Sequence, residues 1–170
     1  MKKLMFLMIL SIAVAGTGFA AVIEKGTLEL GLQGEMDFNS PDGDVEFEVY
    51  PSLGYFLSDN IQVGGLLGMM YNGNDMGYRI GGFGEMNFDT YNSVMPFLAL
   101  RLMLDFGSYY DKSYVLLDGA AGLKFFLSQN LVIAIEIFYD LASEDAAFPG
   151  EEGSGSSNDS GMRLGLRHYF

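Results

Sequence analysis

Along most of this chain, apolar and polar side chains alternate with a period of two. In "TLELGLQGEMDF", Leu28, Leu30, Leu32, Met36 and Phe38 fall on one side, and Glu29, Gln33, Glu35 and Asp37 on the other. "VEFEVYPSLGYF" continues the pattern, with Val45, Phe47, Val49, Leu53 and Tyr55 opposite Glu46, Glu48, Tyr50 and Ser52. A period of two sends successive side chains to opposite faces of a β-strand. Six more such runs follow: "IQVGGLLGMMYN", "YRIGGFGEMNF", "PFLALRLMLDF", "YVLLDGAAGLKFF", "LVIAIEIFYDL" and "GMRLGLRHYF". The pattern predicts an all-β domain of eight strands.

Turn-forming residues separate the runs, so sequence neighbours are predicted to pair as antiparallel hairpins. "FLSDN" at 56–60 and "FLSQN" at 126–130 repeat one Ser/Asp/Asn-type turn, and "DTYNSV" fills the equivalent place between the fourth and fifth strands. The opposite connections are "NSPDG", "NGNDMG", "GSYYDK" and an acidic, Gly/Ser-rich segment from about Ala142 to Ser160, which reads as a flexible loop. Short turns at one end and a longer loop at the other match a membrane barrel whose turns face the periplasm.

Alternation alone does not say which face meets water, and a soluble lipocalin-like barrel would turn its apolar face inward. Three features favour the inverted arrangement. First, the polar face is narrow: Gly31, Gly54, Gly64, Gly68, Gly81, Ala99, Ala120, Gly122, Ala134 and Gly165 share it. An eight-stranded barrel is just wide enough inside for its own side chains, so small residues must alternate with large ones there. Second, Arg79, Arg101, Lys124, Arg163 and Arg167 all fall on that face, with ten carboxylates that include Glu29, Asp105 and Asp140. The candidate lumen charge network is Glu35, Glu48, Glu85, Arg101, Asp118, Lys124, Glu136, Arg163 and Arg167, with Arg101 expected between Glu85 and Asp118. Third, Phe38, Tyr55, Tyr71, Tyr78, Phe88, Phe106, Phe125, Tyr139 and Phe170 lie near strand ends, where membrane barrels carry aromatic girdles.

The first twenty residues read as a secretory signal peptide. Lys2 and Lys3 precede an apolar run from Leu4 to Ala15, and Gly18-Phe19-Ala20 forms a small-residue cleavage site. That run is short of the ~20 residues a spanning helix needs. Residues 21–170 then form a single domain. Without Lys2 and Lys3, seven of the nine cations remain against 22 carboxylates, a formal charge of −15, which argues against nucleic acid as a partner. With no Cys and one His, the sequence offers neither a disulfide scaffold nor a zinc site of the usual kind, and no metal or cofactor is expected.

With its signal peptide, "PSLGYFLSDNIQVGG", "GLKFFLSQNLVIAIEIFYD" and a last strand ending in Phe170, the chain resembles the outer-membrane β-barrel domain family, which includes small barrels of the OmpA, OmpX and OmpW type. The resemblance implies an eight-stranded antiparallel up-and-down transmembrane β-barrel in a bacterial outer membrane, in contact with its lipids and lipopolysaccharide. It also implies insertion by the barrel-assembly machinery, with Met162, Leu164, Leu166, His168 and Phe170 as the C-terminal assembly signal. His168 departs from the pattern, since an aromatic side chain is common there.

Three activities are open at this point. The leading expectation is a monomeric, non-enzymatic barrel with a structural or surface-interaction role. The alternative is a narrow pore, which ten acidic against five basic lumen positions would bias toward cations. A lipid-modifying enzyme is disfavoured because the lone His168 lies at the turn end, away from any serine of the last loop. The loop carboxylates Glu144, Asp145, Glu151, Glu152 and Asp159 lack the spacing of a calcium loop and read as a solvated acidic segment.

Overall fold

The structure is a computed structural model that describes residues 23–37, 46–71, 73–89, 93–110, 112–143 and 158–170. The signal peptide, Phe38 and most of the acidic segment lie outside the described residues, as do the side chains of Glu35, Asp37 and Glu46.

Eight strands form: β1 (Leu28–Asp37), β2 (Glu46–Ser58), β3 (Ile61–Tyr71), β4 (Met76–Asn87), β5 (Val94–Gly107), β6 (Tyr114–Phe126), β7 (Leu131–Ala142) and β8 (Asn158–Tyr169). Each pairs antiparallel with the next, and β1 pairs with β8 to close the ring. Closure pairs Glu29–Gly34 of β1 with Leu164–Tyr169 of β8, the turn-side halves of both would-be edge strands. At the seam, the Phe170 N–H donates to the Leu28 carbonyl at 2.9 Å, and the Asn130 side-chain amide donates to the Tyr169 carbonyl at 2.8 Å.

The repeated turn works the same way twice. The Ser58 hydroxyl accepts from the Ile61 N–H at 3.2 Å, and the Ser128 hydroxyl accepts from the Leu131 N–H at 3.1 Å. A serine at that place satisfies the first N–H of the returning strand, so both hairpins reverse within a few residues.

Strand parity sorts the side chains by face. On β5, Phe97, Ala99, Arg101, Met103 and Asp105 are buried, whereas Leu98, Leu100, Leu102 and Leu104 are exposed. On β8, Arg163, Arg167 and Tyr169 are buried, while Leu164 and Phe170 are 60% and 69% exposed. The leucines are outside and the arginines inside.

Luminal glycines lie beneath large neighbours. A Cβ at Gly122 would sit 2.6 Å from the Phe97 ring and 2.5 Å from the Ile135 carbonyl, and one at Gly81 would sit 2.5 Å from the Met103 side chain. Bare backbone on one strand is the room its neighbour's side chain fills, which is how so narrow an interior packs.

Candidate functional site

The lumen is layered. At the turn end, Phe56, Met95, Phe126, Val132 and Tyr169 cluster with Ile23, which arrives from the segment before β1. That segment is pinned by the Gly26 N–H donating to the Phe56 carbonyl at 2.9 Å and the Lys25 N–H donating to Asp59 at 2.9 Å. At the loop end, Leu66, Met103, Tyr114 and Leu116 form a second apolar layer, with Phe83 and Tyr110 against it. Tyr110 comes from the β5–β6 loop and donates to the Met70 sulfur; burial pushes its phenol above the ordinary value, so it stays neutral.

Most of the charges stand between these layers, and one pair, Arg79 with Asp105, lies on the loop side of Leu66 and Met103. Nearest the turns, the Lys124 ammonium donates to Glu29 at 3.3 Å and to Glu85, while Arg167 donates to Glu29 at 3.2 Å and Glu85 at 2.6 Å. Three rings also face Lys124: Phe97, Tyr169 and Phe56, with centroids 5.4, 5.6 and 5.8 Å from Nζ. Further along, Arg101 bridges Asp118 at 2.5 Å and Glu136 at 2.7 Å. Arg163 bridges Asp118 at 2.5 Å and Asp140 at 3.1 Å, with its guanidinium carbon 3.6 Å from the Phe138 ring centroid. Arg167 Nη2 lies 3.9 Å from Glu136 Oε2 and links these two groups. Nearest the loops, Arg79 grips both oxygens of Asp105 at 2.6 Å and donates to the Tyr50 hydroxyl at 3.1 Å.

The structure thus brings Glu85, Arg101, Asp118, Lys124, Glu136, Arg163 and Arg167 together in one interior. Glu48 is half-buried toward the loops. One expected pairing is corrected. Arg101 does not stand between Glu85 and Asp118: Glu85 faces Ala99 across the β4–β5 ladder, and its carboxylate is taken by Lys124 and Arg167. Arg101 leans the other way, toward β6 and β7. The charge balance also tightens. Six carboxylates and five cations are fully buried among the described side chains, an excess of one. An unpaired charge in such a place costs several kcal/mol, whereas each of these five cations has a carboxylate partner.

Sequence patterning does not single out the rings that complete this network. Phe56, Phe97, Phe138 and Tyr169 share the parity of Tyr50, Arg101, Glu136 and Arg167, the luminal residues of their strands, and parity is the signal that would have found them. The C-terminal residues Met162, Leu164, Leu166 and Phe170 lie on the outer face. His168 is half-buried in the same register, its ring centroid 4.5 Å from that of Phe170. Among the described residues, no group of three or more His, Cys, Asp or Glu is arranged to hold a metal ion.

No family model matches the chain, and no curated protein matches it. Solved structures do. The N-terminal β-barrel domain of Pseudomonas aeruginosa OprF is similar over 86% of this chain and 98% of that one, with a TM-score of 0.61 at 15% identity. Neisserial surface protein A is similar over 85% and 96%, with a TM-score of 0.57 at 19% identity. This is the fold of the small eight-stranded outer-membrane barrels. The small-barrel fold extends to a de novo designed transmembrane β-barrel, at a TM-score of 0.52 and 14% identity over 88% of this chain.

Proposed function

We propose that this chain is an integral outer-membrane β-barrel with a closed, charge-braced interior and a structural or surface-interaction role carried by its loops. The observation that carries this reading is the inversion of the faces. Thirty-one large apolar side chains are exposed among the described residues, while eleven charged ones are buried. An apolar exterior on that scale is far beyond what a water-soluble monomer tolerates, and suits acyl chains. Its height fits as well. From Pro96 to Phe106 on β5, at ~3.3 Å per residue and a tilt near 40°, the outward face rises about 25 Å, the thickness of an outer-membrane apolar band.

A solid plug rather than a conduit follows from the layering. One apolar cluster closes the turn end, a second crosses the interior toward the loops, and ion pairs fill the space between them and the level beyond the second. The remaining function then rests with the loops, whose sequences are rich in carboxylates and would meet lipopolysaccharide or an external partner. Catalysis is not part of this reading, because His168 faces the turn-end exterior beside Phe170.

Two measurements test the proposal. The purified protein refolded in detergent should migrate differently on a gel before and after boiling, and should sediment with the outer-membrane fraction of its cell. A boiling-insensitive, freely soluble protein would overturn it.

A further inference from the structure

Among the described residues, two luminal carboxamides lack partners on both of their polar atoms. Gln62 on β3 is fully buried and Asn87 on β4 is 1% exposed, and neither the oxygen nor the nitrogen of either amide meets a hydrogen-bonding group of the protein. They stand near the turn end on adjoining strands. Gln62 faces Glu85 across the ladder, and Asn87 lies two residues beyond Glu85 on the same strand. The site has been given room: a Cβ at Gly54 would fall 1.8 Å from Gln62 Nε2, so the amide lies flat over the bare backbone of β2. Buried amides in folded proteins are almost always hydrogen-bonded, because desolvating one without a partner is costly.

We propose that Gln62 and Asn87 bind ordered water, forming a sealed hydration site at the turn end of the lumen. The surroundings define the guest. It must both donate and accept, since the two amides offer two oxygens and two NH2 groups. It must be neutral, because Glu29, Glu85, Lys124 and Arg167 beside it already balance to zero, and an added ion of either sign would leave a net charge. It must be small, because the apolar layer of Phe56, Met95, Phe126, Val132 and Tyr169 closes the interior on that side. Water meets all three conditions, and four amide heteroatoms supply the two to four partners that a buried water takes. The interior is then wet at one end without being open there.

The test uses the wild-type protein, isotope-labelled and refolded in detergent micelles. The side-chain amide protons of Gln62 and Asn87 should show direct magnetisation transfer to water with the sign of a long-lived complex. Its absence at both residues overturns the proposal. A variant adds a second reading. Gln62→Met should lower the urea midpoint of unfolding and weaken the water signal at Asn87, because the shared water loses a partner. A raised midpoint would mean that the amide had been an orphan, and the proposal would fall.

Discussion

Arg167 on β8 donates to Glu85 on β4 across 2.6 Å, and in a ring of eight strands those two stand on opposite walls. The pair is a strut across the full width of the lumen. It is also buried, with side chains 4% and 1% exposed, so its removal is felt as an uncompensated charge. Arg167→Met should destabilise the barrel by about 3–5 kcal/mol, and adding Glu85→Leu should recover part of that loss. Urea unfolding in lipid vesicles, run as a double-mutant cycle, measures the coupling. Additive losses would mean that the strut carries nothing.

The luminal network also bears on conduction. If the interior is plugged, wild type, Arg101→Ala and Glu48→Ala should all be silent in planar bilayers. Discrete, cation-selective steps in either variant would instead support the pore reading, with the luminal network as its gate.

Gly119 and Gly122 lie three residues apart on β6 but face opposite ways. A Cβ at Gly119 meets nothing within 4 Å, whereas one at Gly122 collides with the Phe97 ring and the Ile135 carbonyl. Gly119→Val should be tolerated within about 0.5 kcal/mol, as for a surface change. Gly122→Val should lose at least the ~1–3 kcal/mol of an overpacked core, or fail to give the fast-migrating folded band on an unboiled gel. Equal behaviour of the two would contradict the assignment of faces.

Depth on the outer face makes a further prediction. Leu100 lies midway along β5 and is 60% exposed, while Phe106 is near the loop end. Leu100→Arg should cost about 2–4 kcal/mol in vesicles and Phe106→Arg about 0–1, because charge is expensive at the bilayer midplane and cheap at its edge. A soluble barrel would tolerate both alike.

The C-terminal strand supplies the last prediction. Phe170 is 69% exposed and its ring meets His168 on the outer face, a place where an assembly factor could read both. Phe170→Ser should reduce the yield of folded barrel inserted by reconstituted assembly machinery several-fold, yet leave spontaneous refolding in detergent nearly unchanged. Equal losses in both assays would make the terminal ring a stability element only.

Strand count, pairing and the sorting of faces were legible in the sequence because each rests on local alternation. Leu164 and Arg163, or Leu100 and Arg101, are told apart by parity alone. Of the partners of Arg101, Asp118 was legible and Glu136 was not. Parity says that a side chain points inward, but the stagger between strands decides which opposing carboxylate it meets, and that stagger comes from ring closure. Glu85 therefore went to Lys124 and Arg167 rather than to its near neighbour in the ladder. Some luminal rings were hidden for another reason. In "GLKFF" and "LVIAIEIFYDL" large apolar side chains occur on both faces, so an inward Phe126 or Phe138 looks like its outward neighbour.

Because β8 docks on β1, the first and last strands of the barrel complete the ring. Glu29 and Arg167 meet although 138 residues separate them. Until that contact exists, β1 and β7 each offer a bare hydrogen-bonding margin to any passing strand. So long-range a closure is slow. A ribosome that stalls anywhere before β8 leaves not a weaker barrel but an adhesive ribbon.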